Sequence, residues 1–328
     1  MHPDTLDRRQ LILAGLGAAF AGAASAQTRP KGKPVRIIVG FPPGQATDVV
    51  ARLLAERLQK ASGEPFIVDN LPGQGGSLAL GTLAKSTNDG SVMMLAHMSA
   101  VATNPHLYKS VPYDSLKDFE AVGLVGDLPF VMVCNPALPF QNVADLVQYA
   151  KANPDRLTNA SSGNGTVSHL AMEEFKVKAG VKITHIPYKG SAAGLVDVMS
   201  GNVAMALETA AAVRPLVQAG KLRALAAGSA TRLSGVLNVA TLSEQGFPNF
   251  NAVTWLMLLV PAGTPKQIVQ STFGELSAVS RDPEVEQKML AIGALPRHSA
   301  SPQEADAYLK AEFRSWGDVV RRNGVTLE

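Results

Sequence analysis

Four short stretches are polar or rich in glycine: Gly40 to Asp48, His97 to Ala100, Ser161 to His169 and Tyr188 to Ser191. Each follows a strand-like apolar run and opens a helix-like one. In an open α/β sheet, ligands sit outside the carboxyl ends of the strands. The helix N-terminus that follows presents unpaired backbone N–H groups and a partial positive charge, which suits an anion. Gly44, Gly163, Gly165 and Gly190 let the backbone approach a ligand closely, and Thr47, Ser162, Thr166 and Ser191 add hydroxyl groups. A carboxylate could be held there without burying an arginine. Any one loop reads equally well as a cap and a turn, but four at equivalent places in two halves of the chain argue for a cleft.

Patterns for other chemistry are missing or incomplete. Gly73-Gln74-Gly75 begins a dinucleotide fingerprint, yet Leu78 stands where the third glycine belongs. Neither a Walker loop nor a G-x-S-x-G nucleophile elbow occurs. His169 and Glu173 form a helical i,i+4 pair with metal-ligand potential, but two ligands on one helix are a weak signal. The expectation is a binding protein with no catalytic residues, no metal and no cofactor.

The elements that must position these loops alternate. Val35 to Phe41 reads as a strand, and Thr47 as the N-cap of a helix carrying Val49, Val50, Leu53, Leu54 and Leu58 at helical spacing. Phe66 to Asp69 and Val92 to Ala96 add strands, with a helix over Leu78 to Lys85 between them. The rhythm restarts at Phe130 to Cys134, followed by a helix capped by Asn142. Strands at Leu157 to Ala160, Ile183 to Ile186, Val203 to Leu207 and Leu222 to Ala226 alternate with helices starting near Thr166, Ser191 and Ala211. After the apolar run Asn251 to Val260 come three helices, marked by Thr264-Pro265, Asp282-Pro283 and the capping box Ser301-Pro302-Gln303-Glu304. Alternation at this interval favours mostly parallel sheets. The expected division is a leader over 1–26, lobe 1 over 27–127 plus 252–328, and lobe 2 over 128–251. Segments 120–133 and 251–260 would cross between lobes as paired hinge strands.

The leader reading rests on Arg8-Arg9, the apolar stretch Leu11 to Ala24 and the small residues Ala24-Ser25-Ala26, which together make a secretory signal. Arg8-Arg9 also resembles a twin-arginine pattern, so both export routes stay open. Hydrophobic residues at 46% and charged residues at 17% describe a globular chain, and a net charge of +3 without basic runs excludes a nucleic-acid footprint. Cys134, the sole cysteine, lies in an apolar run and reads as a buried small hydrophobe.

The series Val35-Arg36-Ile37-Ile38-Val39-Gly40-Phe41-Pro42-Pro43-Gly44, then Ala46-Thr47-Asp48 and Ala51-Arg52, resembles the opening motif of the tripartite tricarboxylate transporter substrate-binding proteins, the Bug family. Tyr113-Asp114 through Phe119, Ser168 to Ala171, Pro187 to Ser191, Thr241 to Gly246 and Pro261 to Pro265 are similar to its later signatures, in order. The resemblance implies a two-lobed, type II Venus-flytrap protein of the periplasm that closes over a small carboxylate. It further implies delivery to a membrane permease, with presentation to a membrane sensor as the alternative, and a monomer. By motif, Phe41, Gly44, Ala46, Thr47 and Asp48 would line the first lobe. Ser162, Gly163, Thr166, His169, Tyr188, Lys189, Gly190 and Ser191 would line the second.

The sequence departs from that family at Gln45, where the motif usually has a second glycine; its side chain could enter the cleft or face solvent. Strand-end Glu208 would repel a carboxylate unless protonated or bonded to an amine on the ligand. His97 and His169 offer hydrogen bonds or a structural role, and Ser99 adds a hydroxyl beside His97. Lys189 could pair with a carboxylate or simply face solvent. Asp48 reads as a first-turn residue leaving only its N–H for a ligand, and Trp255 as core.

Overall fold

The computed structural model describes residues 29, 30 and 32–323. The expected leader, residues 1–26, lies outside them. Among the described residues ten strands appear in order: β1 (Val35–Val39), β2 (Phe66–Asn70), β3 (Val92–His97), β4 (Phe119–Cys134), β5 (Thr158–Ser161), β6 (Thr184–Pro187), β7 (Met205–Thr209), β8 (Arg223–Ala227), β9 (Val253–Pro261) and β10 (Leu295–Pro296). The principal helices are α1 (Ala46–Ser62), α2 (Ser77–Ala84), α3 (Val143–Ala152), α4 (Val167–Ala179), α5 (Ser191–Ser200), α6 (Ala210–Gln218), α7 (Lys266–Ser280), α8 (Pro283–Ala291) and α9 (Pro302–Asn323).

The strands run β2-β1-β3-β9-β4-β7-β5-β6, with β10 and β8 also paired to β4. β1, β2 and β3 are mutually parallel, as are β5, β6 and β7. β9 inserts antiparallel between β3 and β4. β4 is long because it serves both ends. Its first part pairs with β9, from Phe119 opposite Pro261 to Pro129 opposite Val253, and its second part pairs with β7 and β8 from Phe130 onward. The pair expected to cross over is therefore unequal: β4 enters both sheets, whereas β9 stays in the first and leaves the second contact to Ala252, whose N–H donates to the Gly228 carbonyl (2.7 Å). The register of β4 on β9 slips between Ala121 and Gly123 and again between Leu124 and Gly126. Only glycine fits at 126, where a Cβ would lie 2.9 Å from the Leu295 carbonyl oxygen.

Apolar side chains fill both faces of each sheet. Trp255 is 2% exposed, and its indole N–H donates to Glu312 of α9 (2.9 Å). Cys134 is buried on β4, and burial pushes its thiol up to about 11, so it is an inert hydrophobe. α9 packs on β4 through Ala305 and Leu309, and Val320 reaches Leu170 of α4.

Several caps differ from expectation. The N-cap of α1 is Gln45 and not Thr47, which sits inside the first turn. β7 extends to Thr209, so Glu208 lies within the strand opposite Val131. Thr264 does not cap α7, because its hydroxyl is spent on the Pro261 carbonyl (2.6 Å) and Pro265 precedes the first turn. Ser301 does accept the Glu304 N–H (3.1 Å), while Glu304 reaches Ala300 instead of Ser301.

Asp48 holds the β1–α1 corner. Its carboxylate accepts from the Gly44 N–H (2.8 Å), Arg52 Nε (3.0 Å) and Asn70 Nδ2 (2.9 Å), and Asn70 Nδ2 also donates to the Phe41 carbonyl (2.9 Å). Burial alone would raise this carboxyl, but the hydrogen bonds from Arg52, the Gly44 N–H and Asn70 outweigh it and lower it. Asp48→Ala is expected to cost about 1–3 kcal/mol in urea unfolding at neutral pH, since it removes a buried charged acceptor shared by the Gly44 N–H, Arg52 and Asn70. A lowered carboxyl contributes stability that is lost as pH falls below the unfolded value of about 3.9, so the deficit of the variant should shrink there.

Candidate functional site

Between the two sheets lies a small inner pocket of about 20 Å³ lined by Phe41, Gln45, Ala46, Thr47, His97, Leu128, Phe130, Ser162, Thr166, Ser191, Glu208 and Thr209. Four helix starts meet here. Gln45 caps α1, Thr166 caps α4, Gly190 precedes Ser191 at the start of α5, and Thr209 caps α6. At none of the four does the cap side chain accept a first-turn N–H. Of the helices that begin elsewhere, α3, α8 and α9 have side-chain caps at Asn142, Asp282 and Ser301, whereas α2 and α7 have none. The Thr166 hydroxyl instead donates backward to the Gly163 carbonyl (2.7 Å). The first-turn donors at the pocket are thus left without side-chain caps, and four positive dipole ends converge on one space.

His97 adds a further donor. Its Nδ1 accepts the Ser99 N–H (3.2 Å), which leaves the ring proton on Nε2. Burial pushes its pKa down to about 3, so the imidazole is neutral. Glu208 is 3% exposed, and Ser168 Oγ donates to it (3.1 Å). Burial pushes the Glu208 carboxyl up to about 7, against the downward pull of hydrogen bonds from Ser168, Ser162 and the Thr209 N–H. Near neutrality the pocket therefore contains a carboxyl that can stand protonated, together with a set of N–H donors.

A larger outer chamber of about 850 Å³ adjoins it, lined by Pro42 to Ala46, Lys189 to Ala193 and parts of α5, α6 and α8. Gln45, Ala46 and Ser191 belong to both spaces. The Gln45 side chain reaches across to Gly190, where an added Cβ would stand 2.2 Å from Gln45 Nε2. That Nε2 is buried and has no hydrogen-bond partner.

Of the residues singled out from sequence, Phe41, Gln45, Ala46, Thr47, His97, Ser162, Thr166, Ser191 and Glu208 meet in the inner pocket, and Gly44, Lys189 and Gly190 line the outer chamber. Asp48, Ser99, Gly163, His169 and Tyr188 line neither space. The Asp48 carboxylate is turned to Arg52 and Asn70, Ser99 is fully buried, and Tyr188 donates its hydroxyl to Asp197 (2.5 Å). Thr209, Leu128 and Phe130 were missed. The strand-end position of Glu208 was the one signal that pointed toward Thr209.

His169 instead stacks on His185, with ring centroids 4.1 Å apart, and with Glu173 these side chains bring possible ligand atoms within 4.8 Å of one another. Burial lowers both histidines, His185 to about 3. Nδ1 of His169 accepts the Gly165 N–H (3.2 Å), so its Nε2 carries the proton and lacks a free lone pair, and the Lys176 ammonium already occupies Glu173 (2.6 Å). This arrangement is a neutral stack bonded to the loop before α4.

Residues 50–325 match the family described as tripartite tricarboxylate transporter family receptor. The chain is 37% identical over 324 residues to Protein BugT of Bordetella pertussis, covering 98% of this chain and 99% of BugT. Among solved structures, an R. palustris protein with adipate superposes with a TM-score of 0.87 at 34% identity, over 90% of this chain and 99% of that one. MatC from Rhodopseudomonas palustris with bound malate superposes with a TM-score of 0.82 at 27% identity, over 89% and 100%.

Proposed function

Because the chain belongs to the tripartite tricarboxylate transporter receptor family, we propose that its inner pocket binds a carboxylate and that lobe closure presents the loaded protein to the permease of such a transporter. It is a periplasmic solute-binding receptor with two α/β lobes, and its family is one of receptors, not enzymes. The observation that carries the reading is the convergence of four helix starts without side-chain caps on one pocket. The adipate and malate held by two related structures agree with it. A carboxylate there would accept first-turn N–H groups of α1 and α5, and a hydrogen bond from Nε2 of His97.

Lobe 1 comprises 27–127 plus 252–328 and lobe 2 comprises 128–251. The change of partners along β4 near Pro129 and Phe130 supports that division. Contacts join the two parts: Thr103 Oγ1 donates to the Gly165 carbonyl (3.0 Å), and Arg214 to the carbonyl of Ala291. A ligand shifts the population toward closure by contacts available only in that state.

A thermal-shift screen of mono-, di- and tricarboxylates and amino acids tests the proposal. A true ligand at 100 times its Kd should add about 2.7 kcal/mol of stability. Absence of a shift with every carboxylate would sink the reading. The protein acts as a monomer that returns its ligand unchanged, so recovery of a chemically altered acid would show an enzyme instead. Capture of a sensor rather than permease subunits from membranes would favour presentation over delivery.

A further inference from the structure

The inner pocket of about 20 Å³ has room for little more than one water-sized group. An acid of several carbons held at that point must place the rest of its length elsewhere. The adjoining chamber of about 850 Å³ is in the range that holds small organic ligands. Its wall is mainly apolar, with Pro42, Leu195, Met199, Ala212, Pro215 and Ile292 contributing. The border between the two spaces is made of Ala46 and Ser191, both small, and of Gln45 with its buried, unpartnered Nε2. A buried amide donor without a partner is costly to leave so, and an acceptor arriving at that border would satisfy it.

We propose that the ligand is a monocarboxylate with an extended apolar tail, its carboxylate seated in the inner pocket with a hydrogen bond from Gln45 Nε2 and its tail passing Ala46 and Ser191 into the outer chamber. This rests on the inner pocket being the carboxylate site. Gln45 is then a specificity-determining residue, because its amide stands at the point where head and tail part. Lys189 and Arg214 also border the chamber. Arg214 is engaged with the Ala291 carbonyl, and the apolar wall makes the greater part of the surface a tail would touch.

Titration calorimetry of the intact mature chain with butanoate, hexanoate and octanoate, alongside malate, adipate and suberate, tests the inference. Each methylene entering an apolar space should tighten Kd about fourfold, so octanoate should exceed hexanoate by about 16-fold. Octanoate should also bind more tightly than suberate, which carries a second charge into the chamber. Gln45→Leu keeps the bulk and removes the donor, and should weaken all three monocarboxylates by a similar factor of about tenfold. Ala212→Trp, checked for an unchanged melting temperature, should erase the advantage of octanoate over hexanoate. A Kd independent of chain length, a preference for suberate over octanoate, or a long-chain advantage that survives Ala212→Trp would overturn the inference. If malate or adipate binds while the monocarboxylates show no length dependence, only this inference falls. If none of the six binds, the carboxylate reading falls with it.

Discussion

Gly190→Ala is expected to weaken ligand binding by at least about tenfold and, separately, to lower the stability of the ligand-free protein. The two effects have different origins and can be told apart. At Gly190 the backbone has φ +117°, a region that side chains rarely adopt, and holding alanine there costs about 1–3 kcal/mol whether the lobes are open or closed. The contact with Gln45 exists only when the lobes meet. There the new methyl would stand 2.2 Å from Gln45 Nε2, so the amide must move or closure must stop short. Combining Gly190→Ala with Gln45→Ala makes room for the methyl. The double variant should recover affinity relative to the sum of the single losses while keeping the lowered melting temperature. A double-mutant cycle by calorimetry and thermal unfolding reads both. Strictly additive losses in affinity would show that Gln45 and Gly190 do not meet in the loaded state.

The second large effect is a dependence of affinity on pH set by Glu208. With the carboxyl raised to about 7, the free protein loses its proton as pH climbs past neutrality, and a bound carboxylate would then face a second negative charge. Binding therefore takes up a proton, and Kd should rise toward a limit of about tenfold per pH unit above 7, which is about 16-fold between pH 7 and 8.5. His97, in the same pocket, stays neutral throughout because burial holds it at about 3. Glu208→Gln should flatten the profile and bind more tightly than the parent at pH 8.5. The sign for folding is parallel. An acid raised in the folded state contributes stability that is full below its unfolded pKa of about 4.3 and is lost as pH rises through 7. The glutamine variant should accordingly gain stability over the parent on the alkaline side. Affinity that increases with pH would instead place an ammonium of the ligand against Glu208.

Strand and helix alternation was legible because apolar runs and turn residues are local. The corner at Gly44 to Asp48, the α3 cap at Asn142 and the buried places of Trp255 and Cys134 all followed from short-range pattern. The pairing of segment 120–133 with 251–260 was also legible, but side-chain contacts that depend on distant chain were not. The direction of the Gln45 side chain is decided by Gly190, far along the sequence, and the absence of a Cβ there has no local signature of its own. Thr209 was missed because β7 runs two residues further than its apolar pattern, carried on by pairing with β4. His169 lay in the right motif but turned to His185, since the Gly165 N–H fixes its ring from one side and stacking from the other. Thr47 looked like a cap by residue type, yet the chain enters the helix two residues earlier, where Asp48 draws back the Gly44 N–H.

The place of β9 bears on how the molecule is made. β9 fills the middle of the first sheet, between β3 and β4, although it comes ninth along the chain. During synthesis from the N-terminus, β3 and the first half of β4 emerge with a gap between them that only residues 253–261 can fill. The first sheet stays unzipped until translation is nearly complete, and its closing contacts join segments very far apart in sequence, which makes them slow to form. On the general secretory route, which passes unfolded chains, this ordering of strands would keep the first sheet open until residues 253–261 have been delivered.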